Sequence, residues 1–130
     1  MRRQRVFLFG EAERGDYCTP LTCRSLLQLS EMLGNPPEET QGIFYAIQAL
    51  LYNRELIFFR VEEEGFSTQD YLRGIKLLKN KQVGAELTAI CMPGVGDIEI
   101  IEQVTPVCKI YKSLLIVTPE DLYDYLTCLN

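Results

Sequence analysis

The most informative part of the chain is residues 86–104, which read ELTAICMPGVGDIEIIEQV. It opens with an apolar run, Leu87 to Cys91, whose length suits one buried strand. The next five residues, MPGVG, contain a proline and two glycines and therefore interrupt regular structure. Asp97 is a good N-cap, and apolar residues recur after it at helical spacing. A strand, a glycine-containing turn and a helix in this order predict half of a βαβ unit.

The same order of elements recurs along the rest of the chain. Short apolar runs predict further strands at residues 6–9, 56–59 and 114–117. Helical spacing of apolar residues predicts helices between these strands, and the clearest stripe follows Thr40. Its members are Ile43, Phe44, Ile47, Leu50 and Leu51.

Three short motifs predict helix starts. Thr19 and Pro20 form a cap followed by proline at the first helical position, and Thr118 with Pro119 repeats that pattern. Residues 67–70, STQD, have the spacing of a capping box. The predicted order is therefore strand, two helices, strand, helix, strand, helix, strand, helix.

This order predicts parallel strands joined by right-handed helical crossovers. We expect one domain over residues 1–130, a small three-layer, doubly wound α/β domain of the Rossmann-like or flavodoxin-like type. It should contain about four parallel strands, with helices on both faces of the sheet. The predicted strand order is 2-1-3-4, which places the first strand inside the sheet.

Charge and composition limit the kinds of partner and the cellular location that we expect for this protein. The net charge of −5 argues against nucleic acid, because phosphate binding depends on lysine and arginine; the basic run of Arg2, Arg3 and Arg5 is confined to the N-terminus. No apolar run is long enough to span a membrane. Five cysteines without a paired spacing suggest free thiols, and hence a cytoplasmic protein.

The chain contains no histidine. This excludes Ser-His-Asp and Cys-His catalytic groups and histidine-ligated zinc within the sequence. Carboxylates, cysteine, lysine, tyrosine and backbone amides remain, so whether the protein is an enzyme stays open.

The predicted ligand site lies at the carboxyl edge of the sheet, where the strand order reverses. Two glycine-bearing loops, Gly10 to Asp16 and Pro93 to Asp97, should meet there, and backbone amides in such loops bind anions. We therefore predict a site for an anionic small molecule, such as a nucleotide or a phosphorylated metabolite. Its candidate residues are Gly10, Glu11, Glu13, Gly15, Asp16, Gly94, Gly96, Asp97 and Thr118.

Neither loop carries a P-loop or a complete dinucleotide fingerprint. The alternative interpretation of the second loop is a tight turn capped by Asp97, whose carboxylate would occupy the amides that a phosphate needs. Cys18 also lies near a predicted helix start, which could lower the pKa of its thiol, although an inert thiol is the simpler interpretation.

Several carboxylates follow the predicted strands and could hold Mg²⁺ through their oxygens, although they form no recognisable metal motif. They are Glu11, Glu13, Asp16, Asp97, Glu120 and Asp121. Metal-dependent phosphoryl or hydrolytic chemistry would need at least two of them at one ion. Capping of helix starts explains the same acids without a metal.

A second function remains open from the sequence alone. The missing histidine and phosphate motifs favour a non-catalytic protein-interaction or regulatory module without a small-molecule ligand. Tyr123 and Tyr125 on the last helix suit an interface, either with another protein or with a second copy of the chain; the alternative interpretation is a solvated helix face.

Overall fold

The computed structural model describes residues 4–81 and 86–128, so Arg2, Arg3 and the last two residues lie outside the described ranges. Within these residues the chain forms five strands and five helices. In chain order the elements are β1 (Arg5–Gly10), β2 (Pro20–Cys23), α1 (Leu26–Leu33), α2 (Gly42–Leu51), β3 (Glu55–Arg60), α3 (Thr68–Lys79), β4 (Ala89–Cys91), α4 (Ile98–Tyr111), β5 (Leu114–Ile116) and α5 (Pro119–Thr127).

The strands form one sheet in the order β2-β3-β1-β4-β5. Strands β3, β1, β4 and β5 are parallel, and their order is the predicted one. Strand β2 pairs antiparallel with β3 at one edge, so the sheet is mixed. This fifth strand was not predicted from the sequence.

The missed strand occupies the segment for which we predict a helix start. Pro20 to Cys23 is extended and pairs with Leu56 to Phe59. Helix α1 begins only at Leu26, where Ser25 is the N-cap and its hydroxyl accepts a hydrogen bond from the backbone N–H of Gln28. The prediction of a start at Thr19-Pro20 is therefore wrong, because pairing with β3 outweighs the local signal.

The central strand supplies both cores. Val6 and Leu8 point to one face of β1, and Phe7 and Phe9 point to the other. The first face packs against α1, α2 and α5, and the second against α3 and α4. Phe9 is the centre of an aromatic cluster, with ring centroids 5.1 Å from Phe59 and 5.2 Å from Tyr71. Helices thus cover both faces of the sheet, as predicted.

The helix starts at the carboxyl edge differ in how they are capped. Asp97 caps α4 and Thr118 caps α5, as predicted: the Asp97 carboxylate accepts two backbone N–H groups, and the Thr118 hydroxyl accepts the N–H of Asp121. Ser67 precedes α3 but makes no side-chain cap, and Asp70 accepts the N–H of Glu62 instead. The predicted capping box is therefore absent. Helix α4 continues through Pro106 as one element.

All five cysteines are free, and Cys91 and Cys108 are buried, as expected for small apolar side chains. No helix in the described part of the chain combines the length and apolar character needed to cross a bilayer.

Glu55 joins the amino ends of β1 and β3 to the carboxyl end of the antiparallel strand β2. Its carboxylate is almost fully buried and accepts hydrogen bonds from Arg5 of β1 and from Arg24 after β2, the latter at 3.1 Å. Burial alone would raise the pKa of Glu55, but the two guanidinium groups outweigh burial and hold that pKa below its ordinary value of 4.5. The ionised carboxylate therefore stabilises the folded state.

Replacing Glu55 by glutamine should lower the free energy of unfolding by about 1–2 kcal/mol at pH 7, since both arginines are partly exposed and screened. Because the folded-state pKa is lowered, this contribution is complete above pH 4.5 and is lost as the pH falls through the folded-state value. Urea titrations of Glu55→Gln and wild type at several pH values measure this difference. Glu102→Gln, on the exposed face of α4, is the control; a gap of the same size at every pH would contradict the assignment.

Candidate functional site

The carboxyl end of β1, which borders the predicted crevice, lies close to the start of α2. Gly10 ends β1, and Gly42 begins α2. A Cβ atom added at Gly10 would lie 2.9 Å from the Cα atom of Gly42, so side chains are excluded on this side of both residues. The first turn of α2 is thereby brought directly onto the carboxyl edge of the sheet.

A carboxylate from the chain itself occupies this position. Glu64, in the loop after β3, accepts hydrogen bonds from the backbone N–H groups of Glu11 at 3.0 Å, Gln41 at 2.6 Å and Gly42 at 2.9 Å. In return, the N–H of Glu64 donates to the carboxylate of Glu11 at 2.9 Å. The start of a helix is a natural anion site, and here the anion is Glu64.

The electrostatics of Glu64 reflect two opposing effects. Burial raises the pKa of its carboxyl group, and the negative charge of Glu11 acts in the same direction. The three N–H groups favour the ionised form, but burial outweighs them and leaves the pKa above its ordinary value. The Glu64 carboxylate thus binds the three N–H groups that an external anion would need at this position.

The loop that carries Glu64 also contacts the second predicted loop. Gly65 lies so close to Gly94 that an added Cβ would be 2.8 Å from the Gly94 carbonyl oxygen. At the start of α3, the Thr68 hydroxyl lies 3.4 Å from a carboxylate oxygen of Asp97. The β3–α3 loop thus covers the end of β1 and reaches the β4–α4 loop.

The remaining candidate ligand residues are distributed around the edge rather than gathered at Glu64. Glu13 accepts the N–H of Asn35, and Gly15 packs against Met32 and Leu33 at the end of α1. Gly96 and Asp16 are exposed. Of the nine candidates, Gly10 and Glu11 surround Glu64, while Gly94 and Asp97 contact its loop and the start of α3. Ligand binding by these residues stays a prediction.

Two further expectations concern charged or reactive groups. In the described ranges, 4–81 and 86–128, no three acidic or cysteine side chains cluster in a way that could hold a metal ion. For Cys18 the structure contradicts a lowered pKa and agrees with the simpler interpretation of an inert thiol: the residue precedes β2 rather than a helix, and burial followed by the nearby Asp70 raises the pKa of its thiol.

A groove lies beside the crevice, between α2 and α5, and was not predicted from the sequence. We refer to it as the α2–α5 groove, and it has a volume of about 250 Å³. Most of its lining is aromatic or aliphatic. The lining residues are Gln41, Phe44, Tyr45, Gln48, Tyr52, Pro119, Leu122, Tyr123 and Leu126.

Comparisons of the chain with family models, with curated proteins and with solved structures found no match.

The aromatic walls of the groove are well placed for contact with another molecule. Phe44 is 49% exposed and Tyr123 is 66% exposed, although both lie on helices whose other faces are buried. The hydroxyl of Tyr45 donates to the carbonyl oxygen of Val117 at 3.3 Å, which connects the floor of the groove to the segment before α5. Gln41 links groove and crevice, because it lines the groove while its N–H binds Glu64.

One signal in the sequence could have revealed this groove. The predicted stripe on α2 contains five apolar residues, but Phe44 and Leu51 point away from the core. Helix α2 contains no charged residue at any of its ten positions. A surface helix normally has a charged face, so its absence indicates a second apolar contact.

Proposed function

We propose that this protein is a small α/β interaction domain, and that its α2–α5 groove binds a segment of a partner protein in a non-catalytic role. The observation that supports this proposal most directly is the contrast between the two candidate sites. The crevice is filled by the chain's own Glu64, whereas the groove is open and exposes aromatic side chains.

The composition of the groove supports a protein partner. Protein interfaces are enriched in tyrosine and phenylalanine and depleted of charge at their centres. The groove exposes Phe44, Tyr52 and Tyr123, and none of its lining residues is charged. Its volume of about 250 Å³ lies below the usual range for drug-sized ligands but can accept side chains of a peptide.

Site-specific photo-crosslinking in cells that express the protein would test this proposal. A benzoylphenylalanine placed at Phe44 or Tyr123 should form discrete adducts, because both positions border the groove. The controls are Phe66 and Ile98, which are 76% and 73% exposed but lie outside the groove. Equal adducts at all four positions, or none at Phe44 and Tyr123, would overturn the proposal. An adduct of twice the monomer mass would identify a second copy as the partner.

A second candidate function is the binding of an anionic small molecule, such as a nucleotide or phosphorylated metabolite, at the crevice. It is favoured by the three N–H groups around Glu64, which already bind a carboxylate. Thermal-shift measurements with phosphate, acetate and nucleotides, with and without Mg²⁺, on wild type and on Glu64→Ala test it. An anion that raises the melting temperature of the variant more than that of wild type would support it; flat responses in both would exclude it.

We also propose a fold type and a cellular location for the protein. The order of the four parallel strands and the helices on both faces support a doubly wound domain of the Rossmann-like or flavodoxin-like type. The five free thiols support a cytoplasmic location.

A further inference from the structure

A second cavity lies on the opposite face of the sheet from the α2–α5 groove, between the turn before β2 and helix α3. We refer to it as the α3 pocket, and it has a volume of about 450 Å³. This volume lies within the usual range for small-molecule sites. Its lining residues are Tyr17, Cys18, Arg73, Lys76, Leu77 and Asn80.

The pocket is built on a helix and a fixed turn. Helix α3 and its C-cap supply four of the lining residues at helical spacing, so one face of the helix forms a wall. In the turn opposite, the N–H of Cys18 donates to the carbonyl oxygen of Arg60 at 2.9 Å, and the Thr19 hydroxyl donates to that of Tyr17 at 3.0 Å. Cys18 has a φ angle of 52°, in the left-handed region that favours glycine. These contacts hold the turn in that strained conformation.

Both charged residues that line the pocket are positive. Arg73 and Lys76 are exposed, and neither forms an ion pair with an acidic residue in the described part of the chain. Asp70 lies near the Cys18 thiol, but it does not line the pocket, and its carboxylate accepts the N–H of Glu62 at 2.8 Å. Unpaired cations thus face one cavity in a chain whose net charge is −5.

A third cation borders the pocket through Tyr17. The guanidinium carbon of Arg60 lies 4.0 Å from the centre of the Tyr17 ring, and Arg60 also donates to the carbonyl oxygen of Gly15. The C-terminal end of α3 contributes roughly half a negative charge, and Asp70 contributes one more. Three cations exceed that sum, so the potential in the pocket is positive.

We propose that the α3 pocket binds a small molecule that carries a phosphate or similar oxyanion group on an apolar or aromatic body. Arg73 and Lys76 hold the oxyanion, because a guanidinium and an ammonium group are the usual donors to phosphate. The side-chain amide of Asn80 supplies a further N–H donor. The body of the ligand packs against Leu77 and against the ring of Tyr17, which is 52% exposed.

This site goes beyond the proposed function and does not depend on it. Cys18 and Leu77 pack against the core that contacts α3 and α4, whereas the groove-forming helices α2 and α5 cover the other core. It also differs from the crevice, where Glu64 binds the N–H groups of Gln41 and Gly42.

Proton–nitrogen correlation NMR spectra of the isotope-labelled protein would test the site, with inorganic phosphate, phenyl phosphate and phenol as probes. The titrations are made at constant ionic strength, balanced with chloride. We expect saturable shifts of the amide signals of Cys18, Arg73, Leu77 and Asn80. Phenyl phosphate should bind more tightly than phosphate or phenol alone, because only phenyl phosphate contacts both the cations and the apolar wall.

A pair of charge variants tests the role of the cations. Arg73→Gln/Lys76→Gln should bind phenyl phosphate about tenfold more weakly, since it loses two charge-assisted contacts that are partly screened by solvent. Lys109→Gln/Lys112→Gln removes the same charge from the end of α4 and should bind like wild type. The dispersion of the NMR signals establishes that each variant is folded.

Three results would overturn the proposal. They are the absence of saturable shifts at the α3 pocket with every probe, equal binding of phenyl phosphate by the two charge variants, and shifts confined to the amides of Glu11, Gln41 and Gly42. The last result would assign the anion to the crevice instead. None of these results bears on the crosslinks expected at Phe44 and Tyr123, so the proposed function is tested separately.

Discussion

Replacing Glu64 by alanine should lower the free energy of unfolding by about 3 kcal/mol at pH 8. The substitution removes the acceptor for the N–H groups of Glu11, Gln41 and Gly42, and an unsatisfied buried donor costs about 1–3 kcal/mol. Because Glu64 is only half-buried, water can reach part of this position. The cost for each N–H group should therefore stay near the lower end of that range. Urea denaturation followed by circular dichroism measures the loss.

Two further variants make this prediction specific. Glu64→Gln keeps one acceptor oxygen and should lose about half as much, since its amide nitrogen cannot accept from an N–H group. Glu63→Ala changes the neighbouring exposed side chain and should stay within about 0.5 kcal/mol of wild type. If Glu64→Ala and Glu63→Ala were equally stable, Glu64 would not hold the start of α2.

The second large effect is expected at Gly10. Valine at this position should destabilise the protein by about 3 kcal/mol or prevent stable folding, because its Cβ would lie 2.9 Å from the Cα atom of Gly42. The obstacle is backbone, which cannot rotate away as a flexible side chain can. Relief would require α2 to move from the sheet, and that would also break the hydrogen bonds to Glu64. Thermal and urea denaturation measure the effect.

Gly96→Ala is the matched control for this substitution. A Cβ at Gly96 would meet no atom within 4 Å, and its φ angle does not require glycine. Alanine there should leave stability unchanged or raise it by about 0.5 kcal/mol through the unfolded state. Similar stabilities for Gly10→Val and Gly96→Ala would show that β1 and α2 are not in close contact.

The parallel part of the fold could be predicted because each of its elements is marked by local sequence. Apolar runs mark the four parallel strands, and the caps Asp97 and Thr118 mark two helix starts. The edge strand β2 could not be predicted in this way. Pro20 to Cys23 is short, begins with a proline that resembles a helix start, and becomes a strand only through its pairing with β3.

The contents of the crevice depend on contacts between distant parts of the chain. Glu62, Glu63 and Glu64 are consecutive, and nothing in their local sequence distinguishes the one that folds back onto α2. Glu64 reaches residues 22, 23 and 53 positions away. The two glycines that permit this contact, Gly10 and Gly42, are recognisable as a pair only in three dimensions.

The groove could have been predicted from the sequence, but from the lack of charge on α2 and not from its apolar stripe. The apolar stripe on α2 correctly predicts Ile43 and Leu50 as core residues. It fails for Phe44 and Leu51 because the stripe is wider than the surface that the sheet can cover. The lack of charge on the opposite face was the informative feature, since it implies a second neighbour for the helix.

The lengths of the outermost strands restrict how a partner can dock. β2 has four residues, one of them a proline without an N–H, and β5 has three. Such short edge strands offer few free main-chain groups, so an added strand would gain few hydrogen bonds by β-augmentation. Edge-to-edge aggregation of copies is disfavoured for the same reason. If the protein binds a partner as proposed, recognition should therefore depend on side chains, which discriminate between partners better than the uniform main chain does.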